Sequence, residues 1–312
     1  MQASVRYAIA LLSILGMAAS LVSEADSRQK EPGQSSRAAF IPIDYSYLIF
    51  ARARAYGAHG KEITGQFVVD TGSQFSELDK RTADALGLNV AERGNSHYLG
   101  GSQLVQKATV PRICLGSVCA HLLKVHLMVE KTATSLEVEH SSIGTLGADF
   151  FQGYVLTIDN QNRKMALTPR PPPMSGYRTA LKAPINLVDG FSFVNCKLPT
   201  LDECNLLIDT GNGETVIFGN DSAKFIRLGN VIRTTGILSK TGDTPIKFGP
   251  IPWIEIAGRL KLSNITVGLC ETKIISPLHA KYAPGLLGNG VMENYVVQIN
   301  YLEKTIIFLE KR

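Results

Sequence analysis

Short apolar runs, separated by glycines and polar turns, fill the chain from residue 40 onward. Many of these runs are rich in Val and Ile and have the length of a typical strand. The pattern therefore predicts a mainly β protein. Short helices are expected at Thr82–Leu88 and at Ser222–Gly229, the second of which ends at a glycine suited to a helix C-terminus.

The two parts of the chain repeat each other. An apolar, strand-like run leads into an Asp-Thr-Gly triplet twice, in Gln66–Ser73 and in Leu206–Asn212, and the two aspartates are 139 residues apart. A small hydroxyl residue and then an apolar residue recur at the same offset, as Ser76 and Leu78 in the first part and Thr215 and Ile217 in the second. A repeat at this scale predicts two homologous lobes.

The two parts also end alike, with an offset of 141 residues. Leu146–Phe151 matches Leu287–Met292, and both contain an apolar-Gly element, at Gly147 and Gly288. The following segments match in the same order: Tyr154–Asp159 with Tyr295–Asn300, and Lys164–Leu167 with Thr305–Phe308. Agreement of several elements in order strengthens the prediction of two equivalent lobes.

Composition suggests where the lobes begin and end. The segment Pro169–Pro184 begins Pro-Arg-Pro-Pro-Pro, which is typical of a stiff linker. We therefore expect an N-terminal lobe at residues 40–168, a linker at 169–183 and a C-terminal lobe at 184–312. Residues 26–39 are polar and are expected to form a flexible leader.

The first 25 residues resemble an export signal. Arg6 precedes the apolar run Ala8–Val22, and small residues allow cleavage after Ala25. An uncleaved membrane anchor is the alternative, but the run is short for a membrane span, which favours cleavage. We expect a secreted or periplasmic protein without stable membrane insertion after the signal is removed.

Five cysteines would lie in an oxidising compartment if the chain is exported. Cys114 and Cys119 flank a turn-like segment, and so do Cys196 and Cys204, so two local disulfides are expected. Cys270 is then left over. A zinc site is the alternative, but the cysteine spacing fits it poorly, and we expect no metal.

Charge and motifs favour neither nucleic acids nor other catalytic classes. The net charge is +5 and is spread along the chain without a basic cluster, so we expect no nucleic-acid partner. No phosphate-binding glycine loop, zinc-helix motif or serine nucleophile elbow is present in the sequence. His121 and His126 are expected to have ordinary surface or packing roles.

The repeated triplet carries the candidate chemistry. A single Asp-Thr-Gly is explained well by a turn, but two copies in matching contexts indicate function. An aspartate at the end of a buried strand is partly desolvated, the threonine can brace the opposite loop, and the glycine lets the backbone approach a ligand closely. If the lobes face each other across a pseudo-twofold axis, Asp70 and Asp209 meet and share a proton.

These motifs resemble those of the pepsin/retropepsin superfamily of aspartic proteases, with lobes closer in size to retropepsin units. The resemblance covers nearly all of the chain after the leader. It implies a mainly β, bilobal fold with double-psi, closed barrel-like lobes related by a pseudo-twofold axis. It also implies a monomeric endopeptidase that cleaves extended polypeptides without a cofactor.

The resemblance assigns roles to particular residues. It implies a catalytic pair, supporting residues in the two loops, a glycine beside each loop and a flap over the substrate. These residues are, in that order, Asp70 and Asp209; Thr71, Gly72, Ser73, Thr210, Gly211 and Asn212; Gly147 and Gly288; and Tyr98, Gly100 and Gly101. The segment Ser239–Gly242 is a candidate for a second flap.

One residue departs from the family pattern. A small hydroxyl residue or alanine usually follows the triplet; Ser73 fits and Asn212 does not. A hydroxyl there can donate to the carboxylate and lower its pKa. Asn212 therefore supports a second hypothesis, a non-catalytic peptide-binding or inhibitor protein on the same fold. A glycosidase with paired carboxylates is a third, but Trp253 is the single tryptophan available to stack on sugars.

Overall fold

Strands dominate the part of the chain that the computed structural model describes, which comprises residues 38–98, 101–128, 142–219, 225–239, 242–270 and 285–312. The described helices are α1 (Lys80–Ala85), α2 (Ala148–Phe151) and α3 (Asn289–Met292), and Ala58–Gly60 forms a 3-10 turn. The strands are β1 (Ile41–Tyr45), β2 (Ile49–Tyr56), β3 (Glu62–Val69), β4 (Glu77–Asp79), β5 (Val90–Tyr98), β6 (Gly101–Leu115), β7 (Val118–Met128), β8 (Ser142–Leu146), β9 (Val155–Asp159), β10 (Lys164–Thr168), β11 (Tyr177–Pro184), β12 (Asn186–Val188), β13 (Phe191–Leu198), β14 (Leu201–Ile208), β15 (Val216–Gly219), β16 (Arg233–Ser239), β17 (Gly242–Ile256), β18 (Leu260–Cys270), β19 (Gly285–Leu287), β20 (Val296–Asn300) and β21 (Thr305–Lys311).

Six strands of the first half close into a barrel. The pairings run from β2 to β3, β8, β4, β7 and β6, and β6 pairs with β2 to complete the ring. Two of the pairings, β3 with β8 and β4 with β7, are parallel, and the other pairings are antiparallel. The expectation of a mainly β, barrel-like fold is confirmed.

The second half forms a ring of the same topology. Its pairings run from β13 to β14, β19, β15, β18 and β17, and β17 pairs with β13. The parallel pairings, β14 with β19 and β15 with β18, occupy the places equivalent to those in the first half. Each triplet therefore follows the same strand of its own barrel.

A shared sheet joins the halves, in the strand order β11-β21-β20-β9-β10-β1. At its centre β9 pairs antiparallel with β20, and every residue of these two strands is buried. Both strands contain buried polar residues among the apolar ones: Thr157 and Asp159 in β9, and Gln298 and Asn300 in β20. Strand β2 instead alternates, with Ala51, Ala53 and Ala55 buried while Arg52 and Arg54 are exposed.

The structure corrects two expectations about elements. Helix α1 lies two residues earlier than predicted at its start, and the side chain of Asp79 caps it by accepting from the Arg81 N–H at 2.8 Å. For the helix expected at Ser222–Gly229, residues 220–224 lie outside the described part, and the rest are not helical.

The Pro-rich linker is also shorter than expected. Its last residues belong to β11, which pairs with β21 along its length. Only residues 169–176 connect the last strand of the first half to this strand, so most of the expected linker is either a short connection or part of the shared sheet.

Both expected disulfides are present among the described residues. Cys114–Cys119 joins β6 to β7, and Cys196–Cys204 joins β13 to β14, so each closes a hairpin. Cys270 is buried at the end of β18. The disulfides are consistent with an extracellular or periplasmic protein.

The expected signal at residues 1–25 and the leader up to residue 37 lie outside the described residues. Among the residues that are described, no helix is both long enough and apolar enough to cross a bilayer.

Candidate active site

The two triplets begin where the central barrel strands end. Asp70 directly follows β3 and donates its N–H to the carbonyl of Leu146 at 3.0 Å. Asp209 directly follows β14 and donates in the same way to Leu287 at 2.9 Å. The parallel partner strands β8 and β19 thus fix the starting point of both loops.

The two threonines bind across to the opposite loop. The Thr71 hydroxyl donates to the Ile208 carbonyl at 2.7 Å and accepts from the Thr210 N–H at 3.1 Å. Thr210 does the same with the Val69 carbonyl at 2.7 Å and the Thr71 N–H at 3.0 Å. Because both threonines are fully buried, each of these hydrogen bonds is shielded from water. They hold the two loops back to back.

Each aspartate carboxyl lies against the glycine of the opposite loop. A Cβ atom at Gly72 would overlap the Asp209 carboxyl, and one at Gly211 would overlap the Asp70 carboxyl. The carboxyls also hydrogen-bond to each other. The triplet glycines are therefore required for close approach, and they allow Asp70 and Asp209 to meet as the repeat suggested.

Backbone N–H groups bind both carboxylates. Asp70 Oδ1 accepts from Gly72 at 2.8 Å and from Ser73 at 3.0 Å, and Asp209 Oδ1 accepts from Gly211 at 2.9 Å. Donors of this kind favour the ionised form of a carboxyl group.

The two carboxyls do not share the same electrostatic surroundings. Burial raises the pKa of both above the ordinary aspartate value. The charge of Asp70, and the hydrogen bond that protonated Asp209 donates to the Asp70 carboxylate, raise the pKa of Asp209 further. For Asp70, the hydrogen bond with Asp209 and the N–H donors oppose the effect of burial on the pKa. A single proton shared by the pair therefore resides mainly on Asp209.

The residues after the triplets act differently from expectation. The Ser73 hydroxyl donates to the Phe75 carbonyl at 2.8 Å rather than to Asp70. The Asn212 side-chain oxygen accepts from the Glu214 N–H at 3.0 Å, and it is the backbone N–H of Asn212 that binds Asp209. Both side chains thus hold their own loops, so the exchange of a hydroxyl for an amide does not remove a donor from the carboxylate.

Gly147 and Gly288 lie beside the two loops in equivalent positions. A Cβ atom at Gly147 would meet the backbone of Phe75, and one at Gly288 would meet the backbone of Asn212 and Glu214. The next residue in each half donates its N–H to the loop, Ala148 to Ser73 at 2.8 Å and Asn289 to Asn212 at 2.7 Å. Both predicted glycines therefore lie directly against the loops that carry the aspartates.

Three residues that sequence reasoning missed also hold the loops. Asp149 accepts from the hydroxyl of Ser76 at 2.7 Å, and that hydroxyl accepts from the Gly147 N–H at 3.0 Å. In the second half, the Asn289 side chain donates to the Thr210 carbonyl at 2.8 Å. Tyr47 of the first half donates to Glu214 in the second loop. Asp149 and Asn289 lie within segments already matched between the halves, which was an available signal, whereas Tyr47 has none.

The predicted flap lies on a hairpin. Tyr98 ends β5, Gly101 begins β6, and the two residues pair with each other. Gly100 and the Tyr98 side chain lie outside the described residues. The second half has an equivalent hairpin of β16 and β17, in which Ser239 pairs with Gly242.

His121 and His126 both lie on β7. His121 is exposed and His126 is buried on β7, with its ring centroid 4.9 Å from that of Phe75. Burial and the charge of Lys107 lower the pKa of His126 to about 4. Within the described ranges, no cluster of three or more metal-ligating side chains is present.

Comparison with known proteins finds a family match for part of the chain. Residues 57–150 match a family model described as aspartyl protease. The matched segment contains Asp70 and Gly147 but ends before Asp209. No curated protein matches the chain. The match supports an aspartyl protease family, a hydrolase function and polypeptide substrates.

Proposed function

We propose that the chain is an aspartic endopeptidase of the two-lobed pepsin/retropepsin type, with one active site built from both halves. The observation that carries this proposal is the hydrogen-bonded pair of buried carboxyls, Asp70 and Asp209, at the ends of two equivalent barrel strands. The N-terminal lobe, residues 40–168, supplies one carboxyl and the C-terminal lobe, residues 184–312, supplies the other.

The proposed reaction uses the unequal pair. Asp70, as the ionised partner, accepts a proton from a water molecule, and the water oxygen attacks the carbonyl carbon of the peptide. Asp209 donates its proton to the carbonyl oxygen as the tetrahedral intermediate forms. The amine nitrogen then takes the proton that Asp70 accepted, and the C–N bond breaks. One hydroxyl of the intermediate returns its proton to Asp209 as the carboxylic acid forms, which restores the starting state of the pair.

The surrounding residues support the carboxyls rather than react. Thr71 and Thr210 keep the loops in register, and Gly72 and Gly211 give the carboxyls room and N–H donors. The β5–β6 hairpin, with Tyr98, Gly100 and Gly101, is the proposed flap that covers the bound peptide. We also propose export by a cleaved signal at residues 1–25 and action as a monomer.

The alternative of a non-catalytic peptide-binding protein loses its main support. It rested on Asn212, whose side chain turns to the Glu214 N–H instead of replacing a donor to Asp209. Both carboxyls also keep their N–H donors.

Cleavage of a peptide library by residues 26–312 from pH 3 to pH 8 tests the proposal. We expect cleavage that a statine-type transition-state analogue abolishes. Asp70→Asn and Asp209→Asn should each lower kcat by at least about 100-fold, because each removes an acid or base while keeping the side-chain size. Asp202→Asn, at an exposed position on β14, is the matched control and should keep full activity. Full activity in either triplet variant would sink the proposal.

A further inference from the structure

The turn between β1 and β2 crosses from the first half to the loop that follows Asp209. The ring of Tyr47 covers the backbone of Gly213, since a Cβ atom there would lie within 2.5 Å of three ring atoms. The absence of a side chain at Gly213 is therefore what admits the tyrosine. The ring occupies the surface of the second loop two residues after the triplet.

Polar groups of Tyr47 hold the same loop. Its hydroxyl donates to Glu214, which also pairs with Arg233 at 2.7 Å. The Arg233 guanidinium stacks over the Phe248 ring at 4.1 Å, which fixes the far side of the cluster. The Tyr47 carbonyl accepts from the Asn289 amide at 3.4 Å, and the same amide nitrogen donates to the Thr210 carbonyl at 2.8 Å.

The first loop obtains its support in a different way. The Ser76 hydroxyl and N–H both donate to Asp149, within the first half. In the repeat, Gly290 stands in the place of Asp149, so the second loop has no matching carboxylate. Its hydroxyl residue Thr215 donates to the Thr266 carbonyl instead.

The second half also has a turn that reaches the loop of the opposite half, but its contact is built differently from that of Tyr47. The turn between β12 and β13 reaches the first loop through Gly190, which lies beside the side chains of Gln74 and Gln152. Gln74 and Gly213 are equivalent in the repeat. At the first loop, the loop supplies the side chain, Gln74, and the crossing turn supplies the glycine, Gly190. At the second loop, the loop supplies the glycine, Gly213, and the crossing turn supplies the side chain, Tyr47.

We propose that Tyr47 is a positioning residue for Asp209: by clamping residues 209–214 from the opposite half, it keeps the second carboxyl within hydrogen-bond distance of the first. The inference rests on the proposed function, since it names a residue that serves the same carboxyl pair. Removing the ring frees a loop that lacks a counterpart of the Asp149 carboxylate, so the pair separates and the reacting groups lose their alignment.

Steady-state kinetics of Tyr47→Ala, Tyr47→Phe and Tyr45→Ala test this role. Tyr47→Ala should lower kcat about 100-fold, with KM changed less than about threefold, since a small displacement of a catalytic group has that effect. Tyr47→Phe keeps the ring and the carbonyl and should stay within about threefold of the wild type.

Tyr45→Ala is the matched control. Tyr45 also crosses between the halves, but its hydroxyl donates at 2.7 Å to Glu293, which lies at the C-terminal end of α3 and outside residues 209–214. It should lose stability without losing kcat. Equal kcat values for folded Tyr47→Ala and Tyr45→Ala would overturn the proposal. Should Tyr47→Ala not fold, Gly213→Ala puts a methyl group where the ring lies and should lower kcat in the same way.

Carboxyl NMR with ¹³C-labelled aspartate separates this inference from the proposed function. In the wild type the pKa of Asp209 should be raised by burial and by Asp70, and in Tyr47→Ala it should move back toward the ordinary value. The charged groups near the pair and the clamp are Glu214 and Arg233, with Tyr301 close to Asp70. If the wild type cleaves no peptide but this change occurs, the proposed function fails and the positioning role stands. An unchanged titration in Tyr47→Ala contradicts the positioning role.

Discussion

His126 is a buried base beside the first loop. The backbone N–H of His126 donates to the Ser76 carbonyl at 3.0 Å, and its ring lies against Phe75. Burial, together with the charge of Lys107, lowers its pKa from 6.5 to about 4. Because the folded protein binds this proton less readily than the unfolded chain, the histidine lowers the free energy of unfolding as pH falls from 6.5 to 4.

His126→Gln should remove this acid sensitivity. As the pH falls from 6.5 to 4, the free energy of unfolding of the variant should rise relative to that of the wild type, by up to about 1.4 kcal/mol for each pH unit. Urea denaturation at pH 4, 5, 6 and 7 measures it.

The difference between variant and wild type isolates the histidine. The raised pKa values of Asp70 and Asp209 act in the opposite direction, since they stabilise the fold as pH falls, but they do so in both proteins. His121→Gln, at an exposed site on the same strand, is the control and should follow the wild type. A constant difference between His126→Gln and the wild type at every pH would contradict the prediction.

Sequence reasoning reached the residues that the repeat contains twice. Asp70 and Asp209, and the bracing role of Thr71 and Thr210, followed from the triplets because equivalent positions meet at a pseudo-twofold axis. Tyr47 did not, since it is a single aromatic residue without a counterpart, and its partner Glu214 lies 167 residues away. A contact made once between distant segments leaves no periodic or local signal in one sequence.

Each disulfide closes one hairpin of one barrel. Cys196 on β13 stands directly opposite Cys204 on β14, and both are buried. The double variant Cys196→Ala/Cys204→Ala should lower the free energy of unfolding by about 2–3 kcal/mol, because the unfolded chain regains the entropy of a short loop. Urea denaturation under non-reducing conditions measures the loss.

The other hairpin provides the comparison. Cys114→Ala/Cys119→Ala opens a shorter loop and should cost slightly less, about 2 kcal/mol. Wild-type stability in the Cys196/Cys204 double variant would show that this bridge does not constrain the unfolded chain.

Elements were predicted well where the pattern was strong and local. The spacing of the cysteines gave both hairpin disulfides. The strand β11 was missed because prolines dominate the start of its segment, although Leu181 and Ala183 are buried while Lys182 between them is exposed. That alternation over a few residues was the available signal, and the proline run outweighed it.

The whole molecule depends on contacts between its halves. The strands β9 and β20 meet in five residue pairs at the centre of the shared sheet, and all their residues are buried. The crossed threonine hydrogen bonds lie at the other junction. Neither barrel carries both carboxyls, so the proposed reaction requires that these junctions persist. The connecting chain adds a contact of its own, since the Gln298 side chain on β20 donates to the Pro172 carbonyl at 3.1 Å.

Cutting that connection tests the point. A specific protease site inserted between Ser175 and Gly176, both exposed, allows cleavage of the folded protein. The cut protein should stay a single particle in analytical ultracentrifugation and keep its peptide cleavage, because the buried pairing of β9 with β20 does not involve the connection. Its unfolding midpoint should become dependent on protein concentration, since unfolding now releases two chains, whereas the uncut protein with the same insertion should show no such dependence. Two separate folded particles after cutting would mean that the covalent connection, rather than the shared sheet, holds Asp70 and Asp209 together.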